Sequence, residues 1–421
     1  MTRRAEPTVR TVSGDVSPAV LGLCDAHDHL FLRSPRLPGQ ELADAGAAAA
    51  ELRAFREAGG GTVVQWTPYG MGRHAGELPR LAEESGVRIV AATGLHQAVH
   101  YAPEVLERVM GNRGASGGVG SSGGGAARGA GLRDLAELRD LAGLFVAELT
   151  VGIGSWTGSC GEFGTGVTTG KGEVSDTGTT DGTGAAVEAA EVTGAVKTAG
   201  TGKAAEAVKA AGAIKAPETV EAVRAAGGAA GCPRAGMIKV AGGFHGLDAH
   251  ARYTMAAAAE AHHATGAPIG VHLELGTGAP DVLDLLCGTL EVPPQRVILG
   301  HLNRSPDPVT HRSAAAAGAY LAFDGPSRAH HATDWRLPEA LAALADAGYG
   351  DRLLLGGDTT TAAARSVDGG PGMPHLLRHL RPRLEVTLGE TLVRDIFTAN
   401  PARAFAVAWE PEPVPVPVPG V

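Results

Sequence analysis

Six residues that could bind metal ions or transfer protons lie at or near the ends of short apolar segments of this 421-residue chain. They are His27, His29, Lys239, His272, His301 and Asp358. Imidazole and carboxylate ligands suit zinc, and manganese, cobalt or iron also accept them. Two cations bridged by a carboxylate-like group and a hydroxide can hydrolyse an ester, because they lower the pKa of water and polarise the scissile C=O or P=O bond. The set therefore predicts a hydrolytic metal centre.

The first two histidines are separated by one residue at the end of the segment LGLCDAH (21–27). On a strand, this spacing places His27 and His29 on the same face, so that both can bind one ion. Asp358 is the predicted catalytic residue, which would bind one metal, orient the hydroxide and carry its proton away. A single His-x-His pair is common in proteins without metals, so the prediction depends on the whole set.

Lys239 lies inside the apolar segment MIKVAGG, where a buried cation is costly. In one interpretation the lysine reaches solvent or forms a salt bridge. In the other, carbamylation converts its ammonium group into a carboxylate that bridges two cations. The residues alone leave both interpretations open.

Eight apolar segments are predicted strands, and their nearly continuous hydrophobicity is typical of strands buried on both faces. They cover residues 21–27, 62–66, 87–94, 236–242, 268–274, 296–301, 319–324 and 352–358. Segments 41–59, 251–266 and 337–350 have helical composition, and each ends with Gly. Eight strand–helix units predict a closed (β/α)8 TIM barrel, an α/β fold whose active site lies at the C-terminal ends of its strands.

One domain is predicted over residues 1–410, with two interruptions between the third and fourth strands. Tracts 111–131 and 157–235 have low complexity and too few large apolar residues to offset chain entropy, so both are predicted to be disordered insertions. Segment 132–154 between them has helical periodicity. The tail 411–421, PEPVPVPVPGV, is predicted to be extended.

Charge and cysteine content limit the partners and the compartment. The formal net charge is −9 and there is no long basic run, which argues against a nucleic-acid partner. We find no apolar stretch long enough for a bilayer and no secretory signal, so we expect no membrane partner and a cytoplasmic location. Cysteines 24, 160, 232 and 287 show no zinc-knuckle spacing and are expected to be free thiols.

The order of the six residues along eight strands resembles the phosphotriesterase family of the amidohydrolase superfamily. Flanking segments resemble it too, namely 59–73, 87–96, 235–242 and 400–406. The resemblance covers nearly the whole chain except the low-complexity tracts and tails. It implies two divalent ions, with zinc expected first, a carbamylated Lys239 as the bridging ligand, and a homodimer.

The resemblance also implies a function. The family includes phosphotriesterases and lactonases, so we expect a binuclear hydrolase that cleaves a lactone, carboxylic ester or phosphotriester through a metal-bridging hydroxide. Residues predicted to contact this small-molecule substrate are Trp66, His96, Tyr101, Arg304, Arg328 and Arg365, with Asn303 as a further candidate. An arginine there could bind an anionic group bidentately, although each residue alone also fits a surface role. Histidines 262, 263, 330 and 331 are interpreted as surface residues.

Two other functions remain open. The first is a barrel that binds metal or a small molecule without turnover, against which the complete ligand set argues. The second is a mononuclear amidohydrolase acting on an amide or amine, which often lacks a lysine on the fourth strand. Metal stoichiometry discriminates between one ion and two.

Overall fold

The computed structural model of this protein describes residues 6–110, 141–154, 232–324 and 332–409. Tract 111–131, the tail 411–421 and most of tract 157–235 lie outside the described residues, so the predictions made for them stay predictions. The described chain resumes at Cys232, and the next residue accepts a hydrogen bond through Pro233 O from Ile153 N at 2.8 Å. Residues 232–235 are therefore packed, although they belong to the predicted insertion.

Eight parallel strands form one sheet in which each strand pairs with its neighbours in chain order. They are Leu23–Asp28, Gly60–Gln65, Arg88–Gly94, Met237–Ala241, Ile269–His272, Val297–Leu299, Tyr320–Asp324 and Leu353–Gly356. The first and eighth strands meet, because Asp358 N donates to His27 O at 2.9 Å. The predicted barrel and its eight strands are confirmed.

Helices follow most strands and cover the outside of the barrel. They are Ala45–Glu57, Leu78–Ser85, Pro103–Met110, a helical segment over 141–150, Ala249–Thr265, Ala279–Leu283, Pro308–Ala317, Leu337–Asp346, Gly372–His375, Arg381–Leu388, Glu390–Phe397 and Ala399–Phe405. The side chains of Asp44 and Asp248 accept backbone N–H groups in the first turns of two of them, as N-cap residues do. Gly266 ends one helix in the left-handed conformation. A small hairpin, Val9–Thr11 with Gly14–Val16, precedes the barrel.

Trp66 fills the barrel interior directly beneath the ends of the strands. A Cβ at Gly270 would lie 2.9 Å from the indole ring, so this strand position accommodates only glycine. The indole Nε1 donates to Ala26 O at 2.8 Å, and the ring stacks on the imidazole of His27 at 4.0 Å between centroids. The core therefore supports the first of the predicted metal ligands.

A buried ion pair joins the helical segment 141–150 to the barrel. Arg73 Nη1 donates to Glu148 Oε2 at 2.7 Å, and Thr93 Oγ1 donates to the same oxygen at 2.6 Å. Glu148 O also accepts from Ala235 N at 2.9 Å. The carboxylate of Glu148 thus ties the helix between the two low-complexity tracts to the loop after the second strand and to the third strand, and its backbone carbonyl ties the helix to the segment that enters the fourth strand.

Cys24 and Cys287 are free thiols, as expected. Cys232 is disulfide-bonded, so the expectation of a free thiol is wrong at this position. Cys160 lies outside the described residues. Within the described part of the chain, no helix combines the length and hydropathy needed to cross a membrane.

Candidate metal centre

All six predicted metal and catalytic residues line one cavity of about 760 Å³ at the C-terminal end of the barrel. Lys239 lies within the fourth strand, and His272 ends the fifth. His301 and Asp358 follow the sixth and eighth strands and adopt φ angles of 63° and 51°. Such left-handed backbone is costly for residues other than glycine and is concentrated at functional sites.

The first two histidines have fixed tautomers. His27 Nδ1 donates to Asp324 Oδ1 at 2.9 Å. His29 Nδ1 lies 2.7 Å from Thr67 Oγ1, and this hydroxyl donates to the carbonyl of residue 31 at 2.6 Å, so it must accept from the imidazole. The Nε2 lone pairs therefore remain available, and they lie 3.7 and 3.6 Å from Asp358 Oδ1. Two imidazoles and one carboxylate can thus hold one cation together.

His272 and His301 form a second pair of nitrogen ligands. His272 Nε2 lies 3.0 Å from Glu274 Oε2, and His301 Nδ1 is hydrogen-bonded to Asp324 Oδ2. The other two ring nitrogens, His272 Nδ1 and His301 Nε2, face each other at 2.7 Å. If both outer nitrogens donate to carboxylates, the facing lone pairs need a proton or a cation between them. This donor set fits a second metal ion.

Asp324, which was not predicted as a site residue, accepts a hydrogen bond from one member of each histidine pair, His27 and His301. Burial raises the pKa of this carboxyl, but His301 and His27 outweigh burial and hold the pKa well below its usual range. Asn303 Oδ1 accepts from Asp324 N at 3.1 Å and fixes its position. A carboxylate at the end of the seventh apolar strand was a signal that could have identified it.

The ammonium group of Lys239 has no hydrogen bond or salt bridge with any of the residues that the structure describes. Its side chain is buried, and desolvation lowers its pKa to about 7, although the charges of Asp358 and Glu274 act in the opposite direction. A substantial fraction of neutral amine is therefore present near neutral pH. The interpretation of Lys239 as a solvent-reaching or salt-bridged cation does not fit this environment.

Asp358 lies between the histidines and Arg304. Its Oδ2 accepts from Arg304 Nη2 at 2.9 Å. Burial raises the pKa of Asp358, but His301, His29, His27 and Arg304 together hold it well below its usual range. The carboxylate is therefore ionised and able to bind a cation.

A buried carboxyl group beneath the site, that of Asp28, fixes the backbone of neighbouring ligands. Asp28 Oδ1 accepts from His29 N at 2.7 Å and from Thr359 N at 2.9 Å, which links the first strand to the loop that contains Asp358. Burial raises the pKa of Asp28 to about 7. A Cβ at Gly357 would lie 2.2 Å from Asp28 Oδ2, which explains the glycine before Asp358. This role of Asp28 was not predicted.

Two of the predicted substrate residues, His96 and Arg304, line the cavity. Trp66 instead supports His27 from the barrel interior. Tyr101 accepts from His96 N at 2.7 Å through its hydroxyl, and thus positions His96. Arg365 is buried and donates to the carbonyl oxygens of residues 30 and 44, away from the cavity. Arg328 lies outside the described residues.

The cavity is also lined by polar residues that were not predicted as site residues, namely Ser34, Arg36, Gln97, His100, Glu274 and Thr360. Exposed apolar side chains of Val99, Phe244 and Leu275 lie at its edge. The interpretation of His262 as a surface residue is wrong, because this ring is buried and bonded to Ala267 O at 2.7 Å. His330 and His331 lie outside the described residues.

The model of the family described as "Phosphotriesterase family" matches residues 7–113 and 193–405. The chain belongs to the phosphotriesterase family. Phospho-furanose lactonase of Mycoplasmopsis synoviae is 30% identical over 181 residues, which cover 41% of this chain and 51% of that protein. N-acetyltaurine hydrolase of Danio rerio is 30% identical over 129 residues, which cover 23% of this chain and 37% of that protein. The matched segments of this phosphotriesterase-family chain therefore span about half of the lactonase and about a third of the N-acetyltaurine hydrolase.

Solved structures share the fold of this phosphotriesterase-family chain. A lactonase from Listeria monocytogenes superimposes with a TM-score of 0.65 at 21% identity, over 94% of this chain and 98% of that one. At this identity, the similarity shows a common fold and no more.

Proposed function

We propose that this protein is a binuclear metal-dependent hydrolase that cleaves an ester bond. One observation supports the proposal most directly. Each of the four histidines predicted as ligands has one ring nitrogen next to a hydrogen-bond acceptor, so its other nitrogen is directed to the site. A buried lysine and an ionised aspartate complete a set of ligands for two cations.

We propose that His27, His29 and Asp358 hold one divalent cation, and that His272 and His301 hold the other. Zinc is our first candidate, and manganese, cobalt and iron suit the same donors. Bound there, the two cations would lower the pKa of a water molecule and polarise the C=O or P=O bond of the substrate.

Lys239 is the proposed bridging ligand, in its carbamylated form. The neutral amine attacks CO2, an N–C bond forms, and the nitrogen loses one proton, which leaves an anionic carbamate. The low pKa of Lys239, about 7, supports this reaction because only the neutral amine is nucleophilic. Restoring activity to metal-free protein should therefore require bicarbonate or CO2 as well as metal.

Asp358 is the proposed catalytic residue. It would accept the proton that the attacking water loses, and Arg304 would hold its Oδ2 in place through the 2.9 Å hydrogen bond. Asp358 has a positive φ of 51°, and its Oδ1 lies 3.7 and 3.6 Å from the Nε2 atoms of His27 and His29.

We propose a lactone that bears an anionic group as the first substrate class. Arg36 lines the cavity and has no salt bridge to a described residue, so its guanidinium is available to a phosphate or carboxylate. The similarity to a phospho-furanose lactonase supports the same class. Simple carboxylic esters and phosphotriesters share the polarisable C=O or P=O bond and remain alternatives. The similarity to an N-acetyltaurine hydrolase favours amide hydrolysis as a second candidate function.

A substrate screen tests the proposed function. Protein loaded with zinc or manganese is assayed with phosphorylated and unphosphorylated lactones, aryl esters, aryl phosphotriesters and N-acyl amines. We expect the highest kcat/KM for a phosphorylated lactone. Preferred turnover of N-acyl amines would support the second candidate, and fully metallated protein that hydrolyses none of these compounds would support a binding barrel without turnover.

We also propose a cytoplasmic location and a homodimer. The free thiols of Cys24 and Cys287 support a reducing compartment, whereas the disulfide at Cys232 argues against one. Cell fractionation tests the location. Light scattering of the purified protein tests the dimer, and a monomeric mass would contradict it.

A further inference from the structure

Glu274 connects a predicted metal ligand to two neighbouring loops. It lies two residues beyond His272, in the short turn Glu274–Gly276 that follows the fifth strand. Its Oε2 is 3.0 Å from His272 Nε2 and accepts from Gln97 Nε2, also at 3.0 Å. Gln97 Nε2 donates in addition to Gly242 O at 2.7 Å. The side chains of Gln97 and Glu274 thus join the loops after the third, fourth and fifth strands.

The acceptor of His272 differs from those of the other three histidines. Asp324, which serves His27 and His301, and Thr67, which serves His29, are fully buried. The side chain of Glu274 is 35% exposed. The acceptor of His272 is therefore open to the cavity, and the ring also packs against those of His96 and His301, at 4.5 and 4.3 Å between centroids.

We propose that Glu274 is a positioning residue that keeps the proton of His272 on Nε2, so that Nδ1 presents its lone pair to the second cation. A neutral imidazole has one N–H and one lone pair, and an acceptor beside Nε2 favours the tautomer that leaves Nδ1 free. This inference rests on the proposed binuclear site. Loss of a hydrogen-bond partner of this kind typically weakens metal binding about 10–100-fold.

Equilibrium dialysis of the full-length protein against buffered free Zn²⁺, with zinc per chain measured by elemental analysis, tests the inference. The wild type is expected to bind two ions. Glu274→Leu should bind the first ion with wild-type affinity and the second about 10–100-fold more weakly. Glu274→Gln keeps an oxygen that can accept from His272, so its second ion should be weakened less.

A matched control is Glu57→Gln, which removes an exposed carboxylate outside the cavity and should leave both affinities unchanged. Thermal unfolding of the metal-free variants shows whether each one folds. The inference is overturned if Glu274→Leu binds the second ion as tightly as the wild type. It is also overturned if the Leu and Gln variants lose equal affinity, because the lost charge alone would then explain the result. A wild type that binds fewer than two ions would instead defeat the binuclear centre itself.

Discussion

At the scale of single residues, the tautomer and orientation of each predicted histidine ligand depend on the group that is hydrogen-bonded to its second ring nitrogen. Strand spacing predicts that His27 and His29 share a face, but it contains no information about Asp324 or Thr67, whose contacts with these rings form only when the barrel closes. Polar residues at strand ends were therefore predictable as candidate ligands. Their hydrogen-bond acceptors, which come from other strands and loops, were not.

Asp358→Asn tests the catalytic role of this residue. An amide cannot accept the proton from water, so kcat on the preferred substrate should fall about 10²–10⁴-fold. The amide oxygen can still occupy the position near His27 and His29, so the fold should be retained. Steady-state kinetics measures kcat, circular dichroism monitors the fold, and elemental analysis gives the metal content. Normal turnover by the fully metallated Asp358→Asn variant would contradict the proposed role.

His96→Phe tests a substrate contact next to the metal ligands. The backbone N–H of Gln97 donates to His96 Nδ1 at 2.7 Å, which leaves a proton on Nε2 of a ring that lines the cavity. Phenylalanine preserves the shape of the ring and removes this donor. We expect kcat/KM to fall about tenfold, the value of one hydrogen bond, with unchanged metal content. Equal kcat/KM in the two proteins would show that His96 does not bind substrate.

At the scale of elements, the strands were predictable because burial on both faces makes their sequences almost continuously apolar. The ends of the strands were less predictable. The fifth strand, for example, ends at His272, two residues before its predicted end. The helix predicted over 251–266 ends at Thr265, next to the capping Gly266, but it begins at Ala249, two residues before its predicted start. The ion pair of Arg73 with Glu148 was not predictable, since 75 residues separate the partners.

Glu148→Gln should destabilise the protein by about 3–5 kcal/mol, because it leaves the buried guanidinium of Arg73 without its anion. Glu84→Gln is the matched control, since Glu84 forms an exposed pair with Arg80 and its loss should cost about 0–1 kcal/mol. Urea unfolding measures both changes. Equal losses in the two variants would show that the buried pair does not stabilise the junction.

His262 should make stability depend on pH through the helix Ala249–Thr265. Burial lowers its pKa to about 4, although the bond to Ala267 O acts in the opposite direction. The folded state therefore favours the neutral ring. Its contribution is complete above pH ~6.5 and falls as the pH drops towards 4, by up to about 1.4 kcal/mol per pH unit. Urea unfolding of wild type and His262→Gln at pH 7 and pH 5 should show a shallower decrease in the variant. Parallel decreases would contradict this account.

At the scale of the whole molecule, the barrel brings together side chains that are as far apart in the sequence as His27 and Asp358. The fold follows from eight repeated strand–helix units, and the fold then places the ends of all strands at one cavity. The disulfide at Cys232 and the burial of Arg365 depend on tertiary contacts, so composition and spacing could not reveal them.

Anomalous X-ray diffraction from crystals of the zinc-loaded protein tests the central claim most directly. We predict two zinc peaks per chain, one bound by His27, His29 and Asp358 and the other by His272 and His301, at about 2.0–2.2 Å from the ligand atoms. Density for a carbamate on Lys239 should connect them. A single peak, or two peaks without Lys239 between them, would contradict the binuclear centre.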